Sequence, residues 1–112
     1  MEDRYLFKAK RLDNGEWLEW DVIAGIPENV GILADTICQC TGLKDKNGKL
    51  IWENDIVKIN NSKVNTLITF RDFEIICTIP NEKYYKHRLE YDTEYEVIGN
   101  IFDNPELLES EE

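Results

Sequence analysis

Apolar and polar residues alternate along most of this chain, which is the period-two pattern of β-strands that bury one face. Residues 5–12 and 17–24 are the clearest examples, and the second segment alternates through Ile23 to its end. Asp13-Asn14-Gly15 lies between them, and an Asn-Gly pair supplies the positive φ angles of a tight hairpin turn. The sequence therefore predicts an N-terminal β-hairpin.

Glycine, proline and asparagine divide the rest of the chain into short segments. Residues 25–35 read as a loop or a short turn of helix, and residues 82–93 as an exposed connection, helical or extended. Asn104-Pro105 before two leucines predicts a short terminal helix. The other predicted strands are residues 36–43, 50–52, 56–59, 64–70, 73–79 and 95–102. This pattern favours a mostly β fold, either a small barrel or an open, strongly bent sheet.

Acidic charge is concentrated at the C-terminus. The 112 residues have the length of a single domain (1–112), with 13 basic and 23 acidic side chains and a net charge of −10. Half of that excess lies in residues 103–112, which we interpret as a solubilising tail. An acidic surface repels phosphate backbones, so duplex DNA is disfavoured as a partner. No apolar run approaches the ~18 residues that a membrane span needs, so no membrane association is expected.

Two segments stand out for their glycine, asparagine and aspartate residues. Residues 39–59 read QCTGLKDKNGKLIWENDIVKI, and residues 97–109 read VIGNIFDNPELLE. They resemble the two signature blocks of the YopX family of phage and prophage proteins. Those blocks typically read Gln-aromatic-Thr-Gly-Leu-x-Asp-x-Asn-Gly-x-x-Ile-aromatic-Glu-Gly-Asp-Ile-Val and Val-Ile-Gly-Asn-Ile-x-x-Asn-Pro-Glu-Leu-Leu. Cys40 replaces the usual aromatic residue, and Asn54 replaces the usual glycine.

The signature residues are interpreted as structural, with a ligand-binding role as the alternative. Gly42 and Gly48 permit backbone angles that other residues resist, and Asn54 tolerates the left-handed region. Asp55 is expected to cap turn amides, and Gly99 to mark a bulge or a close approach of backbone. The signature residues are Gln39, Thr41, Gly42, Leu43, Asp45, Asn47, Gly48, Ile51, Trp52, Glu53, Asn54, Asp55, Ile56, Val57, Gly99, Asn100 and Pro105.

The resemblance implies a mostly β protein encoded by a phage or prophage and present in the cytoplasm of the host bacterium. The molecular role of the family is generally given as unknown. No catalytic residues come with the family, so none is assigned here.

Cys38, Cys40 and Cys77, with His87, are the residue types of a zinc site. The usual spacing is two to four residues between paired cysteines, and this arrangement does not supply it. We therefore expect Cys38 and Cys40 to point to one face as small core residues, and we predict no metal and no cofactor. Reduced thiols fit a cytosolic protein.

One basic and aromatic cluster is suited to a nucleotide or to single-stranded nucleic acid, because cations there alternate with stacking rings. It comprises Lys83, Tyr84, Tyr85, Lys86, His87 and Arg88. Its structural alternative is an exposed loop whose tyrosines cover the end of the barrel.

The primary functional hypothesis is a non-enzymatic binding module that acts on a host or phage protein. The candidate contacts lie in the acidic C-terminal segment, at Glu106, Leu107, Leu108 and Glu109. Nucleotide binding is the alternative from another class, and a hydrolase or nuclease lacks a recognisable metal or nucleophile set. A homo-oligomer paired through an apolar edge strand at residues 73–79 is left open.

Overall fold

The computed structural model describes residues 5–60, 65–71, 74–78, 86–88 and 94–108, with the backbone alone at residues 70, 71, 74–78 and 86–88. The strands in this part of the chain are β1 (Leu6–Lys10), β2 (Trp17–Asp21), β3 (Cys38–Lys44), β4 (Leu50–Trp52), β5 (Asp55–Ile59), β6 (Asn65–Arg71), β7 (Glu74–Thr78), β8 (Lys86–Arg88) and β9 (Tyr95–Asn100). Short 3₁₀ helices span Ala34–Thr36 and Pro105–Leu108.

Strands β1 to β4 form the N-terminal sheet, which is antiparallel in the order β2-β1-β3-β4. The predicted hairpin of β1 and β2 is present, with Ala9 opposite Leu18. Its turn spans residues 11–16 and is closed by a hydrogen bond from the Arg11 amide to the Glu16 carbonyl, at 2.9 Å. Within the Asn-Gly pair only Gly15 has a positive φ, 72°. The turn is therefore longer than the tight turn that the sequence predicts.

The predicted alternation beyond β2 is wrong, because the chain leaves the sheet after Asp21. The Asp21 carboxylate accepts hydrogen bonds from the amides of Ile23 at 2.9 Å and Ala24 at 2.7 Å. The Gly25 amide donates to the Asp21 carbonyl at 2.9 Å, which completes the turn. Val22 and Ile23 are 57% and 81% exposed, although the pattern gives each of them a strand position.

Strands β5 to β9 form the C-terminal sheet, antiparallel in the order β8-β7-β6-β5-β9. The pairing of β5 with β9 shifts between Ile56, opposite Gly99, and Val57, opposite Val97, which is the bulge predicted at Gly99. Strand β7 lies between β6 and β8. Within the predicted apolar segment 73–79, the described strand at residues 74–78 is therefore not an edge strand, and a homo-oligomer stays a prediction.

The core consists of two groups of buried side chains. One group joins Ile51 of β4 to three residues of the C-terminal sheet, Val57, Ile68 and Tyr95. The other group lies under the N-terminal sheet and consists of Cys38, Cys40 and Trp52, with Leu6, Trp17, Leu50 and Phe102 against it. Burial of the first group holds the two sheets together.

The predicted fold class, mostly β with a short C-terminal helix, is confirmed. The strands form two sheets rather than one bent sheet, and the terminal helix is a single 3₁₀ turn. Within residues 82–93, for which a helical or an extended connection was predicted, residues 86–88 are extended and form a strand. No helix in the described ranges is long and apolar enough to cross a membrane.

Candidate functional site

Asp45, in the turn between β3 and β4, joins the two signature blocks. One carboxylate oxygen accepts the amides of Asn47 and Lys49, each at 2.9 Å, and the other accepts the amide of Val97 at 2.9 Å. The Lys46 amide next to it donates to the Tyr95 carbonyl at 2.8 Å. Burial alone raises the pKa of Asp45, but the three amide donors outweigh it and leave the pKa below its usual value. The turn is thereby attached to β9.

Asp55 is buried at the start of β5 and caps the preceding turn, as predicted. Its carboxylate accepts the amide of Trp52 at 2.8 Å. Burial raises the pKa of Asp55 to about 6, against the lowering effect of that amide and of the charges of Lys8 and Lys49. Asp45 adds a smaller upward effect on the pKa of Asp55.

Asn54 adopts the left-handed conformation predicted for it, with φ of 72°. Its amide donates to the Ile68 carbonyl at 2.7 Å, and its carbonyl accepts the Ile101 amide at 3.0 Å. The turn at residues 53–54 is therefore held by both neighbours of β5. A side chain at Gly99 has no room, since an added Cβ would lie 2.6 Å from the Asn104 Oδ1 atom. These contacts support the structural interpretation of the signature residues.

A groove of about 530 Å³ opens beside these residues, between the two sheets. We call it the lysine groove, and its polar lining includes Lys8, Glu19, Lys49, Asp55 and Asn100. The Lys8 ammonium lies 4.6 Å from the ring centroid of Trp17 and 4.8 Å from that of Trp52. This groove was not predicted from the sequence. The available sequence signal was the polar position of Lys8 on β1, but the groove is also lined by residues of four other strands, β2, β4, β5 and β9.

The first residue of the acidic tail is bound to the hairpin. The Asp103 carboxylate pairs with the Lys10 ammonium and accepts the indole N–H of Trp17 at 2.9 Å. It also accepts the Asn100 side-chain amide at 3.1 Å. The hydrogen bonds from Lys10, Trp17 and Asn100 together lower the pKa of Asp103 to about 2, although burial opposes them. Asp103 therefore belongs to the folded domain.

The candidate protein contacts at the C-terminus lie partly inside the domain. Leu107 and Leu108 are half-buried in the terminal 3₁₀ helix, and the Leu107 carbonyl accepts the Asn65 side-chain amide at 2.7 Å. Glu106 is exposed, and Glu109 lies outside the described residues. Their role in contacting a partner stays a prediction.

The basic and aromatic cluster falls mostly on residues of which little is described. Lys83, Tyr84 and Tyr85 lie outside the described residues, and the backbone of Lys86, His87 and Arg88 forms β8. These last three residues therefore lie in a strand, whereas the structural alternative placed them in a loop. Nucleotide binding by the cluster stays a prediction.

Cys38 and Cys40 are core residues that share one face of β3, as predicted, with 1% and 0% exposure. The Cys38 thiol donates to the Thr36 carbonyl at 3.2 Å and accepts the Asn54 side-chain amide at 3.5 Å. Burial raises the pKa of the Cys38 thiol. The side chains of Cys77 and His87 are not described, and the remaining described side chains include no group of three or more His, Cys, Asp and Glu placed to hold a metal ion.

A second surface feature is a turn that exposes large apolar side chains. We call residues 22–26 the apolar loop; within it Val22 is 57%, Ile23 is 81% and Ile26 is 43% exposed. The Val22 amide donates to the Tyr5 carbonyl at 3.0 Å, which places Tyr5, itself 39% exposed, beside the loop. The alternation of residues 17–24 predicted a strand at Val22 and Ile23, so this surface was not expected.

The comparisons with known proteins agree with the signature blocks. The family model described as YopX protein matches residues 5–109, which is nearly the whole chain. A search of curated proteins found no significant match to this chain.

Proposed function

Since the chain belongs to the YopX family, we propose that it is a phage or prophage accessory protein that acts in the bacterial cytoplasm as a non-enzymatic binding module. Its target is a protein of the host or of the phage. The apolar loop is the contact surface, and its exposed isoleucine is the observation that carries the proposal.

The exposure of the apolar loop supports a protein partner. Apolar side chains grouped at one surface position are costly in water and are typical of interaction sites. Ile23 is 81% exposed, and Val22 beside it is 57% exposed. Both side chains would lose most of their contact with water in an apolar pocket of a partner.

The loop is held in place by the domain before any partner arrives. The Asp21 carboxylate accepts the amides of Ile23 and Ala24, and the Gly25 amide returns to the Asp21 carbonyl. Gly25 has φ of 72°, a value that few other residues adopt without strain. A loop that is already ordered loses less conformational entropy on binding.

Charge favours a partner with a basic rim around the apolar pocket. The chain carries a net charge of −10, so oppositely charged surfaces are attracted to it and acidic ones are repelled. A nucleic-acid duplex does not offer an apolar pocket to Ile23, and a protein does.

Site-specific photo-crosslinking in lysate of the source bacterium tests the proposal. A photoreactive amino acid is placed at position 23, at Glu106 in the terminal 3₁₀ helix, and at Lys44, an exposed polar position. We expect one protein to be captured from position 23 and not from Lys44. Unlabelled wild-type chain should compete for this capture, whereas a chain carrying Val22→Ser and Ile23→Ser should not.

The melting temperature of the doubly substituted chain is the control for folding. Since Val22 and Ile23 are exposed, removing them should leave that temperature within a few degrees of wild type. Capture from position 106 alone, or competition by the Ser variant equal to that by wild type, would contradict the proposal. Capture from position 106 would move the contact surface to the C-terminal segment.

A further inference from the structure

We propose that the lysine groove binds a small organic anion, whose phosphate or carboxylate group lies between the ammonium groups of Lys8 and Lys49. This inference concerns a different face of the protein from the apolar loop and does not depend on it.

The position of Lys8 is the first observation. Its ammonium lies 4.6 Å and 4.8 Å from the ring centroids of Trp17 and Trp52. Aromatic faces attract a cation and orient it, but they carry no negative charge that would neutralise it. Among the described residues, no carboxylate lies within ion-pair distance of Lys8.

Lys49 supplies a second cation on the same groove. It lines the groove from the turn between β3 and β4, and its charge, like that of Lys8, acts on the buried Asp55. Its ammonium has no ion-pair partner in the described part of the chain. Two cations in one concave site, with no direct counterion among the described residues, are suited to an oxyanion.

The opposing charges in the groove set its pH dependence. Glu19 and Asp55 also line the groove, and Asp45 is the other carboxylate that acts on Asp55. Ionised Asp55 attracts both lysines and repels an anion. Since burial raises the pKa of Asp55 to about 6, the groove becomes more positive as the pH falls through that value. Anion binding should therefore strengthen from pH 7.5 to pH 5.5.

Amide chemical shifts of the full 112-residue chain measure this binding. The probes are inorganic sulfate, ribose 5-phosphate and malonate, each titrated at constant ionic strength set with chloride. We expect saturable shifts for at least one probe, confined to Lys49, Gly99, Asn100 and the Trp17 indole. Ribose 5-phosphate as the tightest probe would assign a phosphate ligand, and malonate a carboxylate ligand. Sulfate stays doubly charged over this pH range, so it reports the pH dependence.

Substitutions distinguish anion binding in the lysine groove from nonspecific binding elsewhere on the surface. Lys8→Gln and Lys49→Gln should each weaken binding by about tenfold, and Lys58→Gln, a matched loss of charge on β5, should leave it unchanged. Asp55→Asn should strengthen binding at pH 7.5 by about tenfold and remove the pH dependence. Lys49 is exposed, so its variant should fold even if substitution of Lys8 disturbs the core.

Three outcomes would overturn the proposal. One is the absence of saturable shifts with all three probes at millimolar concentration. Another is shifts that spread over the surface and that Lys58→Gln weakens as much as Lys49→Gln does. The third is sulfate binding that weakens as the pH falls through 6.

Discussion

The Asp45 carboxylate accepts the amide of Val97 at 2.9 Å, across 52 positions of sequence. Asp45 belongs to the first signature block and Val97 opens the second, so this hydrogen bond is one of the contacts that link the two motifs. The same carboxylate accepts the amides of Asn47 and Lys49 within its own turn. We call this arrangement the Asp45 clamp. These three hydrogen bonds give the aspartate of the β3–β4 turn a structural role.

Replacing Asp45 by asparagine should destabilise the protein. An asparagine has one oxygen where the carboxylate has two, so its NH₂ group would face an amide donor at Val97 or in the turn. Charge-assisted hydrogen bonds to a buried carboxylate would be lost, and we expect a decrease of about 2–3 kcal/mol in the free energy of unfolding. Urea denaturation measures this value.

The matched control is Asp35→Asn, at an exposed aspartate of the first 3₁₀ helix. It should change the free energy of unfolding by less than about 0.5 kcal/mol. Equal effects of the two substitutions would show that Asp45 has no special structural role.

Asp55 should make the free energy of unfolding fall as the pH rises, whereas a salt-bridged aspartate makes it rise. Its pKa is about 6 in the folded protein and about 4 in the unfolded chain, so between these values the folded state binds the additional proton. Stability from this group is therefore greatest below pH 4 and is lost as the pH rises through 6. The size of the loss is on the order of 2–3 kcal/mol.

Comparison with Asp55→Asn isolates this effect, since asparagine resembles the neutral acid and its oxygen can still accept the Trp52 amide. Urea midpoints are measured from pH 4 to pH 8 for both proteins. The variant should be more stable than wild type above pH 6, and the difference should shrink toward pH 4. A constant difference across this range would place the pKa of Asp55 near its ordinary value.

Asp45 responds at lower pH and with the opposite sign. Its pKa is lowered in the folded protein, so its contribution is present above the unfolded value near 4 and is lost as the pH falls further. Acid titration of wild type and Asp45→Asn should therefore show their stabilities converging below pH 4. Curves that stay parallel down to pH 2 would contradict the lowered pKa.

Gly99→Ala should destabilise the attachment of the terminal 3₁₀ helix. The added Cβ would lie 2.6 Å from Asn104 Oδ1 and 2.9 Å from Leu107 Cδ1, and both belong to packed residues. We expect a loss of about 1–3 kcal/mol in the free energy of unfolding, with changed amide shifts at Leu107. Gly31→Ala is the control, since the three atoms nearest to its Cβ all belong to Leu12, which is 63% exposed and free to move.

Asn54 should be replaceable by the glycine usual in the family but not by alanine. At φ of 72° glycine is unstrained, whereas alanine pays about 1 kcal/mol for the left-handed conformation. Melting temperatures should rank Asn54→Gly at or near wild type and Asn54→Ala several degrees below it. Equal melting temperatures for the two variants would show that the turn relaxes.

Residue patterns predicted the elements of this fold better than their assembly. The period-two alternation located the hairpin, and the special residues Asn54, Asp55 and Gly99 have the local roles expected of them. Those roles depend on a few neighbouring residues, which the sequence displays directly. The exposed position of Ile23 was mispredicted, because hydrogen bonds to Asp21 redirect the chain while the alternation continues.

The arrangement of the two sheets and the lysine groove were beyond sequence reasoning for a different reason. Alternation assigns residues to faces but does not say which faces meet. Lys8 shares its face with the opposite residues Glu19 and Cys38, and that face is the one packed toward Trp52. Lys8 occupies a polar position in the alternation of β1, and its contacts with Trp17 and Trp52 follow from the strand order, which the alternation does not give.

Amide hydrogen exchange at Val97 tests the Asp45 clamp most directly. The Val97 N–H lies on the side of β9 that faces the β3–β4 turn, where Asp45 is its acceptor. We predict that this amide is protected in wild type and exchanges at least about tenfold faster in Asp45→Asn, while amides of β6 change only by the loss of global stability. A Val97 amide that exchanges freely in wild type, or one that the substitution affects no more than β6, would contradict the account.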